Sequence, residues 1–321
     1  MNQLLQLLQT ELQQLRFGPE PTQLYDPLHY MMGLGGKRLR PLLTLVGADL
    51  FGADPRKALK PALGVEVFHN FTLMHDDIMD QAPLRRGQET VHHKWNPTIA
   101  ILSGDVMLVK AFELMMQVDD AHLRKVLQLF TKCAAEVCEG QQYDMNFETS
   151  DTVSICEYLT MIRLKTAVLV GFALQLGAVI GGANNAQADL LREFATDIGI
   201  AFQLKDDMLD VYADKEKFGK QVGGDILANK KTFLLLTALE KANPEQRKQL
   251  LHWLQTQPRN PEEKVQAVTA IYDAIGVEKI SRAKMDEYFN RALEALDAVD
   301  ANEAKKAQLR SFAEDLMSRE V

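Results

Sequence analysis

The sequence predicts an all-α protein with one domain. Apolar residues recur at helical spacing in nearly every long segment, and the alternation of β-branched and polar residues that is typical of strands is almost absent. Glycine and proline are sparse, with 19 and 11 in 321 residues. No linker rich in Pro, Ser or Gly divides the chain and no repeat of fixed period occurs, so we expect a single domain over residues 1–321.

The composition is that of a globular protein and excludes several classes of partner. The chain is 46% hydrophobic and 25% charged, with a formal net charge of −8, which argues against nucleic acid as a general partner. Three cysteines without C-x-x-C spacing indicate neither a disulfide framework nor a zinc site. Met1 to Arg16 lacks the basic head and apolar core of a secretory signal, so we expect a cytoplasmic protein.

The segments with helical periodicity follow one another along the whole chain. Leucines from Leu4 to Leu15 predict the first helix, which Gly18-Pro19-Glu20-Pro21 ends. Further helices are expected at 23–32, 62–80, 96–116, 121–147, 156–181 and 189–212, and amphipathic helices follow Leu239. Thr166 to Ala183 approaches the length of a membrane span, but Gln175 and four glycines favour a buried core helix, and we expect no membrane span.

A basic cluster stands at the head of the third helix. Gly33-Leu34-Gly35-Gly36 ends the second helix, and Lys37-Arg38-Leu39-Arg40 follows at once. A loosened backbone, a helix N-terminus and cations together can bind an anion. An ordinary solvated cluster is the alternative, and the acidic motif downstream favours the anion site.

That motif is D-D-x-x-D near the end of a long apolar helix. Asp76 and Asp80 stand four residues apart and so lie on one helix face, where they repel each other unless a cation lies between them. His69, seven residues before Asp76, projects from nearly the same face. Arg85 and Arg86 follow the helix end and suit bidentate binding of phosphate oxygens.

The acidic pattern occurs a second time roughly 130 residues later. Asp206 and Asp210 are again four apart, and Gln203 lies on the same face. A glycine-rich loop with Lys220 follows, and Lys230 stands at the head of the next helix. Lys165 and Thr166 open the most apolar helix of the chain, where a lysine would be buried unless it lined a cavity.

Two such motifs, each in an apolar helix, indicate a metal site. If three acids in each helix were buried, they would cost several kcal/mol per charge without cations. Oxygen ligands without paired histidine or cysteine favour Mg²⁺, which binds carboxylates together with phosphate oxygens and water. Acid pairs that face each other through Mg²⁺ would make a bound diphosphate a better leaving group.

Five motifs in order give the chain a resemblance to the trans-isoprenyl diphosphate synthases of the polyprenyl synthetase family, over nearly its whole length. They are Gly35 to Pro41, His75 to Asp80 with Arg85-Arg86, Lys165-Thr166, Gln203 to Asp210, and Gly219-Lys220 through Lys230. The resemblance implies long antiparallel helices around a deep central cavity, a homodimer, and about three Mg²⁺ per active site. It also implies condensation of isopentenyl diphosphate with an allylic diphosphate (dimethylallyl, geranyl or farnesyl).

Roles for individual residues come from the same resemblance. It places the metals on Asp76, Asp80, Asp206 and Asp210. It places the allylic diphosphate on Arg85, Lys165, Thr166, Gln203, Lys220 and Lys230, and the diphosphate of isopentenyl diphosphate on Lys37, Arg40, His69 and Arg86. Six of these residues are expected to be catalytic: Asp76, Asp80, Arg85, Lys165, Asp206 and Lys220.

Product length depends on the residues just before the first motif. Phe71 lies five positions before Asp76, which is about 7–8 Å deeper along a helix, and its ring could form the floor of a tunnel. Alternatively, Phe71 faces the protein core. Thr72 is closer in angle to the acids, but it is too small to block growth alone. A bulky aromatic here resembles short-chain synthases, so we expect C15–C20 products, with C20 ahead.

Four other functions stay open. A longer-chain polyprenyl diphosphate synthase would share all the motifs. A terpene cyclase would share the metal chemistry, but its second motif normally resembles N-D-x-x-S-x-x-x-E. A non-catalytic synthase subunit would tend to lose acids from one motif, and both are intact here. A His-Asp phosphohydrolase, suggested only by His75-Asp76, would need further histidine ligands.

Overall fold

A computed structural model describes residues 1–150, 152–213, 223–256 and 260–318. The chain forms two compact units, each built from separated segments. The first unit comprises Met1–Ala135, Leu169–Arg192 and Val299–Lys306, and the second comprises Glu136–Val168, Glu193–Ala298 and Ala307–Val321. The single domain over 1–321 and the deep central cavity stay predictions.

Helices make up nearly all of the described chain, which confirms the predicted all-α class. In chain order they are α1 (Asn2–Gln14), α2 (Thr22–Gly33), α3 (Leu39–Leu50), α4 (Leu59–Met79), α5 (Val91–Lys94), α6 (Pro97–Met115), α7 (Asp120–Thr149), α8 (Ile155–Ile162), α9 (Val168–Ile180), α10 (Asn185–Tyr212), α11 (Gly224–Leu227), α12 (Phe233–Lys241), α13 (Pro244–Gln255), α14 (Pro261–Ile275), α15 (Val277–Asp297) and α16 (Glu303–Ser318). A 3₁₀ turn, Pro55–Ala58, precedes α4. The only strands among these residues are β1 (Leu84–Arg85) and β2 (Gln88–Glu89), which pair antiparallel.

Helix α4 is the centre of the first unit. It packs against α3 and α6, and apolar residues surround it on nearly all sides, as expected for a helix inside a core. A cluster of aromatic rings fills the space around it: Phe68 lies edge-on to Phe130 with centroids 5.2 Å apart, and Phe130 lies 5.9 Å from Phe172. The first acidic motif stands at the end of α4 that follows these rings in the chain.

Two apolar clusters form the core of the second unit. One gathers Leu234, Leu235 and Ile271 between α12 and α14, and the other packs Ile162 against Leu204 beneath the second acidic motif. Helix α8 begins with a capping box, in which Ser154 and Glu157 satisfy each other's backbone N–H groups.

One stretch of the described chain, Ile155–Ile180, is long and apolar enough to cross a membrane. Of its most apolar window, 78% is buried inside the protein, as in a core helix, which meets the same criteria of length and composition. The stretch overlaps the predicted core helix, and its interior differs from the expectation in one respect. Arg163–Ala167 forms a π-helical turn between α8 and α9 instead of a regular helix.

Candidate active site

The three acids of the first motif are not equivalent. Asp77 is only 1% exposed, whereas Asp76 is half-buried and Asp80 is exposed. Only one of the three acids in this helix is therefore fully buried. Successive residues lie about 100° apart around a helix, so the middle acid points inward while the outer two stay on the solvent side.

Asp77 is held by an arginine of the hairpin that follows the helix. Arg85 Nε lies 2.8 and 2.9 Å from the two Asp77 carboxylate oxygens, and Nη2 lies 2.7 Å from Oδ1. Nη2 also lies 3.5 Å from Asp76 Oδ2. Burial raises the pKa of Asp77, and its bond to Arg85 counteracts part of that shift. The arginine that we expected at the allylic diphosphate therefore also supports the motif itself.

The second hairpin arginine reaches the glycine loop before α3. Arg86 donates a hydrogen bond to the carbonyl oxygen of Gly35. Gly36 has φ +133°, and a Cβ atom there would lie 2.9 Å from Arg86 Nη1. Only glycine allows this close approach. The family resemblance placed Arg86 at the same diphosphate as Lys37, and the structure brings Arg86 to the glycine loop that precedes Lys37.

Arg40 and His69 meet at the centre of this basic region. Arg40 Nη1 lies 3.3 Å from His69 Nε2. Burial, and then the charges of Arg40, Arg86, Arg85 and Arg38 in that order, lower the pKa of His69 well below its usual value. The imidazole is therefore neutral at physiological pH, and it does not repel the arginines around it. Lys37, three residues before Arg40 in the chain, is exposed.

Two residues of this region were not identified from the sequence. Glu66 on α4 is 2% exposed and accepts a hydrogen bond from Arg38. Asn70, fully buried, donates to Glu66 Oε1 at 2.9 Å. An acid in the apolar run Leu63 to Phe68 was the available signal, because a buried carboxylate requires a partner.

The residues expected to set product length lie one turn before the first motif. Phe71 is 8% exposed, and its ring lies 4.7 Å from His75 and 5.6 Å from Phe68. Thr72 Oγ1 donates to the carbonyl oxygen of His69 at 2.8 Å. Phe71 thus belongs to the ring cluster of the first unit, and its effect on product length stays a prediction.

The second motif repeats the pattern of the first. Asp207 is 5% exposed, whereas Asp206 is exposed and Asp210 is half-buried. Tyr158 donates its hydroxyl proton to Asp207 Oδ2, and Gln203 Nε2 donates to Oδ1 at 3.3 Å. Burial raises the pKa of Asp207 to about 7. In both motifs the middle acid is buried and bound by side chains of the protein, whereas the outer acids are half-buried or exposed.

Asp210 has a bond that the sequence did not predict. Its Oδ2 accepts the backbone N–H of Asp225 at 2.9 Å, in the first turn of α11. Burial raises the pKa of Asp210, and this backbone bond opposes the shift. Lys230 Nζ lies 3.2 Å from Asp225 Oδ1. Burial lowers the pKa of Lys230, but the nearby acids, above all Asp225, together raise it further, and the net shift is upward. Lys220, expected beside them, lies outside the described residues.

Lys165, the lysine predicted to open the apolar helix, lies in the π-helical turn. Lys165 Nζ lies 2.5 Å from Asp144 Oδ2 on α7, and Thr166 follows it in the same turn, half-buried. Gly140 permits this packing, because a Cβ atom there would lie 2.1 Å from the backbone nitrogen of Lys165. π-Helical turns occur frequently at functional sites, since they redirect side chains within a helix.

The outer acids suit a hard divalent cation. Each unit supplies two carboxylates four residues apart, and Mg²⁺ prefers oxygen ligands of this kind. Within the described ranges, no group of three or more His, Cys, Asp or Glu residues could by itself hold a metal ion. Each motif therefore offers part of a coordination shell, which substrate oxygens and water would complete.

Comparison with known proteins places the chain among the prenyltransferases. Residues 21–272 match the family model described as polyprenyl synthetase. The chain belongs to the polyprenyl synthetase family. It is thus a prenyltransferase of isoprenoid biosynthesis, of the short-chain trans-isoprenyl diphosphate synthase type, with the all-α isoprenoid synthase fold, and its family implies use of a divalent metal.

Individual relatives agree on the family and differ in product. The chain is 44% identical to a geranylgeranyl diphosphate synthase of Methanosarcina mazei over 223 residues, 69% of each chain. It is 39% identical to a geranylfarnesyl diphosphate synthase of Natronomonas pharaonis over 241 residues, which cover 69% of this chain and 70% of the relative. A crystal structure of a geranylgeranyl pyrophosphate synthase superimposes with a TM-score of 0.94 at 44% identity, covering 99% of this chain and 98% of the other.

Proposed function

We propose that this polyprenyl synthetase family member is an Mg²⁺-dependent synthase that condenses isopentenyl diphosphate with dimethylallyl, geranyl or farnesyl diphosphate. The products are all-trans prenyl diphosphates of C15–C20, chiefly C20, and free diphosphate. One observation supports the proposal: in both motifs protein side chains bind the buried middle acid, whereas the two outer acids, four residues apart, are half-buried or exposed. Similarity to geranylgeranyl diphosphate synthases supports C20.

Isopentenyl diphosphate would bind at the basic region of the first unit. Lys37, Arg40, His69 and Arg86 would hold its diphosphate. The neutral imidazole of His69 binds Arg40 without adding charge, so the guanidinium stays oriented for an anion. This site needs no deprotonation of any side chain, and the double bond of isopentenyl diphosphate stays available as the nucleophile.

The allylic diphosphate would bind Arg85, Lys165, Thr166, Gln203, Lys220 and Lys230. Arg85 binds Asp77 through Nε and Nη2, and a guanidinium has five donors, so others stay available for phosphate oxygens. Lys165 and Lys230 each form an ion pair with an acid, Asp144 and Asp225, which holds the two ammonium groups in place.

Asp76, Asp80, Asp206 and Asp210 would hold about three Mg²⁺ ions. When bound, the metal stabilises the negative charge that develops on the departing diphosphate. The allylic C–O bond breaks, and its electron pair leaves with the diphosphate. The isopentenyl double bond then attacks the allylic cation to form the new C–C bond, and a proton passes to the departed diphosphate.

We further propose that the protein is a cytoplasmic homodimer with one domain per chain. Leu102, Val109 and Met116 lie seven residues apart along and just beyond α6, at 56%, 56% and 48% exposure. That spacing places them on one helix face, and exposed apolar stripes mark association surfaces. Leu102→Lys should lower the mass measured by light scattering from two chains to one, whereas the equally apolar, exposed Leu251→Lys in the second unit should not.

Radiolabelled isopentenyl diphosphate tests the activity. With each allylic starter, purified protein and Mg²⁺ should incorporate label into a C20 prenyl diphosphate, and chelation by EDTA should abolish it. A product longer than C20 would favour a longer-chain synthase. No incorporation but hydrocarbon formation would favour a terpene cyclase. Activity only after addition of a second synthase chain would favour a non-catalytic subunit.

A further inference from the structure

Glu66 is a buried acid of the basic region, and its carboxylate binds two side chains. Its Oε1 accepts hydrogen bonds from Arg38 Nη1 and from Asn70 Nδ2, the latter at 2.9 Å. Asn70 also donates to the Glu66 carbonyl oxygen at 2.8 Å, one turn earlier in α4. Glu66 is 2% exposed and Asn70 is fully buried, so these bonds have no competition from water.

Arg38 connects Glu66 to the end of α2, next to the glycine loop. Its second nitrogen, Nη2, donates to the carbonyl oxygen of Met32 at 2.7 Å, in the last turn of α2. The backbone of Arg38 has φ +51°, a left-handed conformation that needs support from its surroundings in a residue other than glycine. Arg38 therefore ties the end of α2 to α4, and its contacts support the loop of residues 34–38 that connects α2 to α3.

Glu66 also balances the charges above it. Arg38, Arg40 and Arg86 carry the same charge around His69. The charge of Glu66 raises the pKa of Arg40 and of Arg86, in each case against the larger effect of burial. Without this carboxylate, the guanidinium groups would repel each other before any anionic substrate arrives.

We propose that Glu66 is a positioning residue for the isopentenyl diphosphate site. Through Arg38 it fixes the loop that carries Lys37, and it keeps Arg40 and Arg86 together in the substrate-free enzyme. Arg38 is thus occupied by the protein and leaves Lys37 and Arg40, on either side of it, to bind substrate. This inference rests on the proposed function, because it assigns the neighbouring cations to isopentenyl diphosphate.

Steady-state kinetics of Glu66→Gln tests the inference. The amide keeps the size of the side chain but removes its charge. The KM for isopentenyl diphosphate should rise about tenfold or more, since each tenfold corresponds to about 1.4 kcal/mol of lost interaction. The KM for farnesyl diphosphate should stay within about twofold. Glu113→Gln, an exposed acid paired with Lys110 on α6, is the matched control and should change neither constant.

A double-mutant cycle separates positioning from a general structural effect. Arg38→Gln alone should also raise the KM for isopentenyl diphosphate, and Glu66→Gln with Arg38→Gln should cost clearly less than the product of the two single changes, because one bond is removed twice. An unchanged KM for isopentenyl diphosphate, or an equal rise for both substrates, would overturn the proposal. If Glu66→Gln does not fold, Arg38→Gln decides the same question.

Calorimetry keeps this test distinct from the test of the overall function. Wild-type protein and both single variants are titrated with isopentenyl diphosphate in the absence of an allylic substrate. Weaker binding by the variants supports the role of Glu66 even if no elongation is detected, whereas wild-type elongation with unchanged binding by the variants contradicts that role alone.

Discussion

Asp77 and Arg85 form a buried ion pair in which Arg85 Nε lies 2.8 and 2.9 Å from the two carboxylate oxygens. The Asp77 side chain is 2% exposed, and Arg85 is 23% exposed. The middle acid of the motif is thus bound to the protein, and the hairpin that carries both arginines is attached to the end of α4 through it. This division between middle and outer acids has separate consequences for stability and for turnover.

Asp77→Asn should lower the free energy of unfolding by about 1.5–3 kcal/mol, because it removes the charge from the hydrogen bonds that Arg85 donates to this buried position. Asp80→Asn, at an exposed position of the same motif, should change it by less than about 0.5 kcal/mol. Urea unfolding of both variants without metal measures the difference. Equal losses would show that Asp77 has no special structural role.

Substitution of the outer acids should affect turnover much more than it affects stability. Asp76→Ala or Asp206→Ala should lower kcat by about 10²–10³, because each removes a proposed ligand of the metal that stabilises the departing diphosphate. The variants should also need more Mg²⁺ to reach half-maximal rate, as measured by Mg²⁺ titration. Near-normal turnover at saturating Mg²⁺ would remove the substituted residue from the set of ligands.

The buried Asp207 should make the metal-free protein less stable as pH rises. Burial raises its pKa in the folded protein to about 7, above the usual 3.8 that applies to the unfolded chain. Between about pH 4 and about pH 7 the folded state therefore holds a proton that the unfolded state has released, and stability falls with rising pH in that window.

Asp207→Asn should remove most of this fall, whereas Asp206→Asn should reduce it only slightly, because the charge of Asp206 makes a smaller contribution to the raised pKa of Asp207 than burial does. Unfolding free energies in EDTA at pH 5 and pH 8 give the comparison. If wild type and Asp207→Asn lose the same stability between these two values, Asp207 does not retain its proton in the folded protein.

The sequence was sufficient for the helices and for the position of the motifs, because both depend on local periodicity. The helix expected at 96–116 is Pro97–Met115, and the one expected at 189–212 is Asn185–Tyr212. The π-helical turn at Arg163–Ala167 was not predicted, because it arises where α7 approaches at Gly140, and a single segment carries no sign of that contact.

At the site, the contacts that could not be predicted from the sequence join residues that are far apart along the chain. Tyr158 is 49 residues from Asp207, and no local pattern links a tyrosine on one helix to a carboxylate on another. The sequence does not distinguish the three acids of each motif, whereas in the structure Asp77 and Asp207 are bound by Arg85 and Tyr158. Glu66 was visible as an acid in an apolar run, but its partner Arg38 could be identified only from the packing of α4 near α3.

Gly140→Ala should displace the π-helical turn. The new Cβ atom would lie 2.1 Å from the backbone nitrogen of Lys165, so α7 or the turn must shift, at a cost of about 1–3 kcal/mol. The KM for the allylic diphosphate should rise as well, because Lys165 would move. Gly33→Ala, whose added Cβ meets no neighbouring side chain or segment within 4 Å, is the control for thermal unfolding. Unchanged unfolding and KM in Gly140→Ala would show that the contact is not tight.

Phe71→Ala should lengthen the product. The ring lies about one and a half turns before Asp76, packs 5.6 Å from Phe68, and is 8% exposed. Its removal opens space that a growing chain could enter if Phe71 forms the floor of the product tunnel. Chromatography of the products should then show C25 or longer chains in place of C20.

Phe68→Ala distinguishes this effect from general loosening of the core. Phe68 is fully buried in the same ring cluster, so its loss should cost about 3–5 kcal/mol of stability. If Phe71 forms the floor, only its substitution should shift the product, because Phe68 fills the core between Phe71 and Phe130. A C20 product from Phe71→Ala, with stability reduced as in Phe68→Ala, would assign Phe71 to the core and leave chain length to other residues.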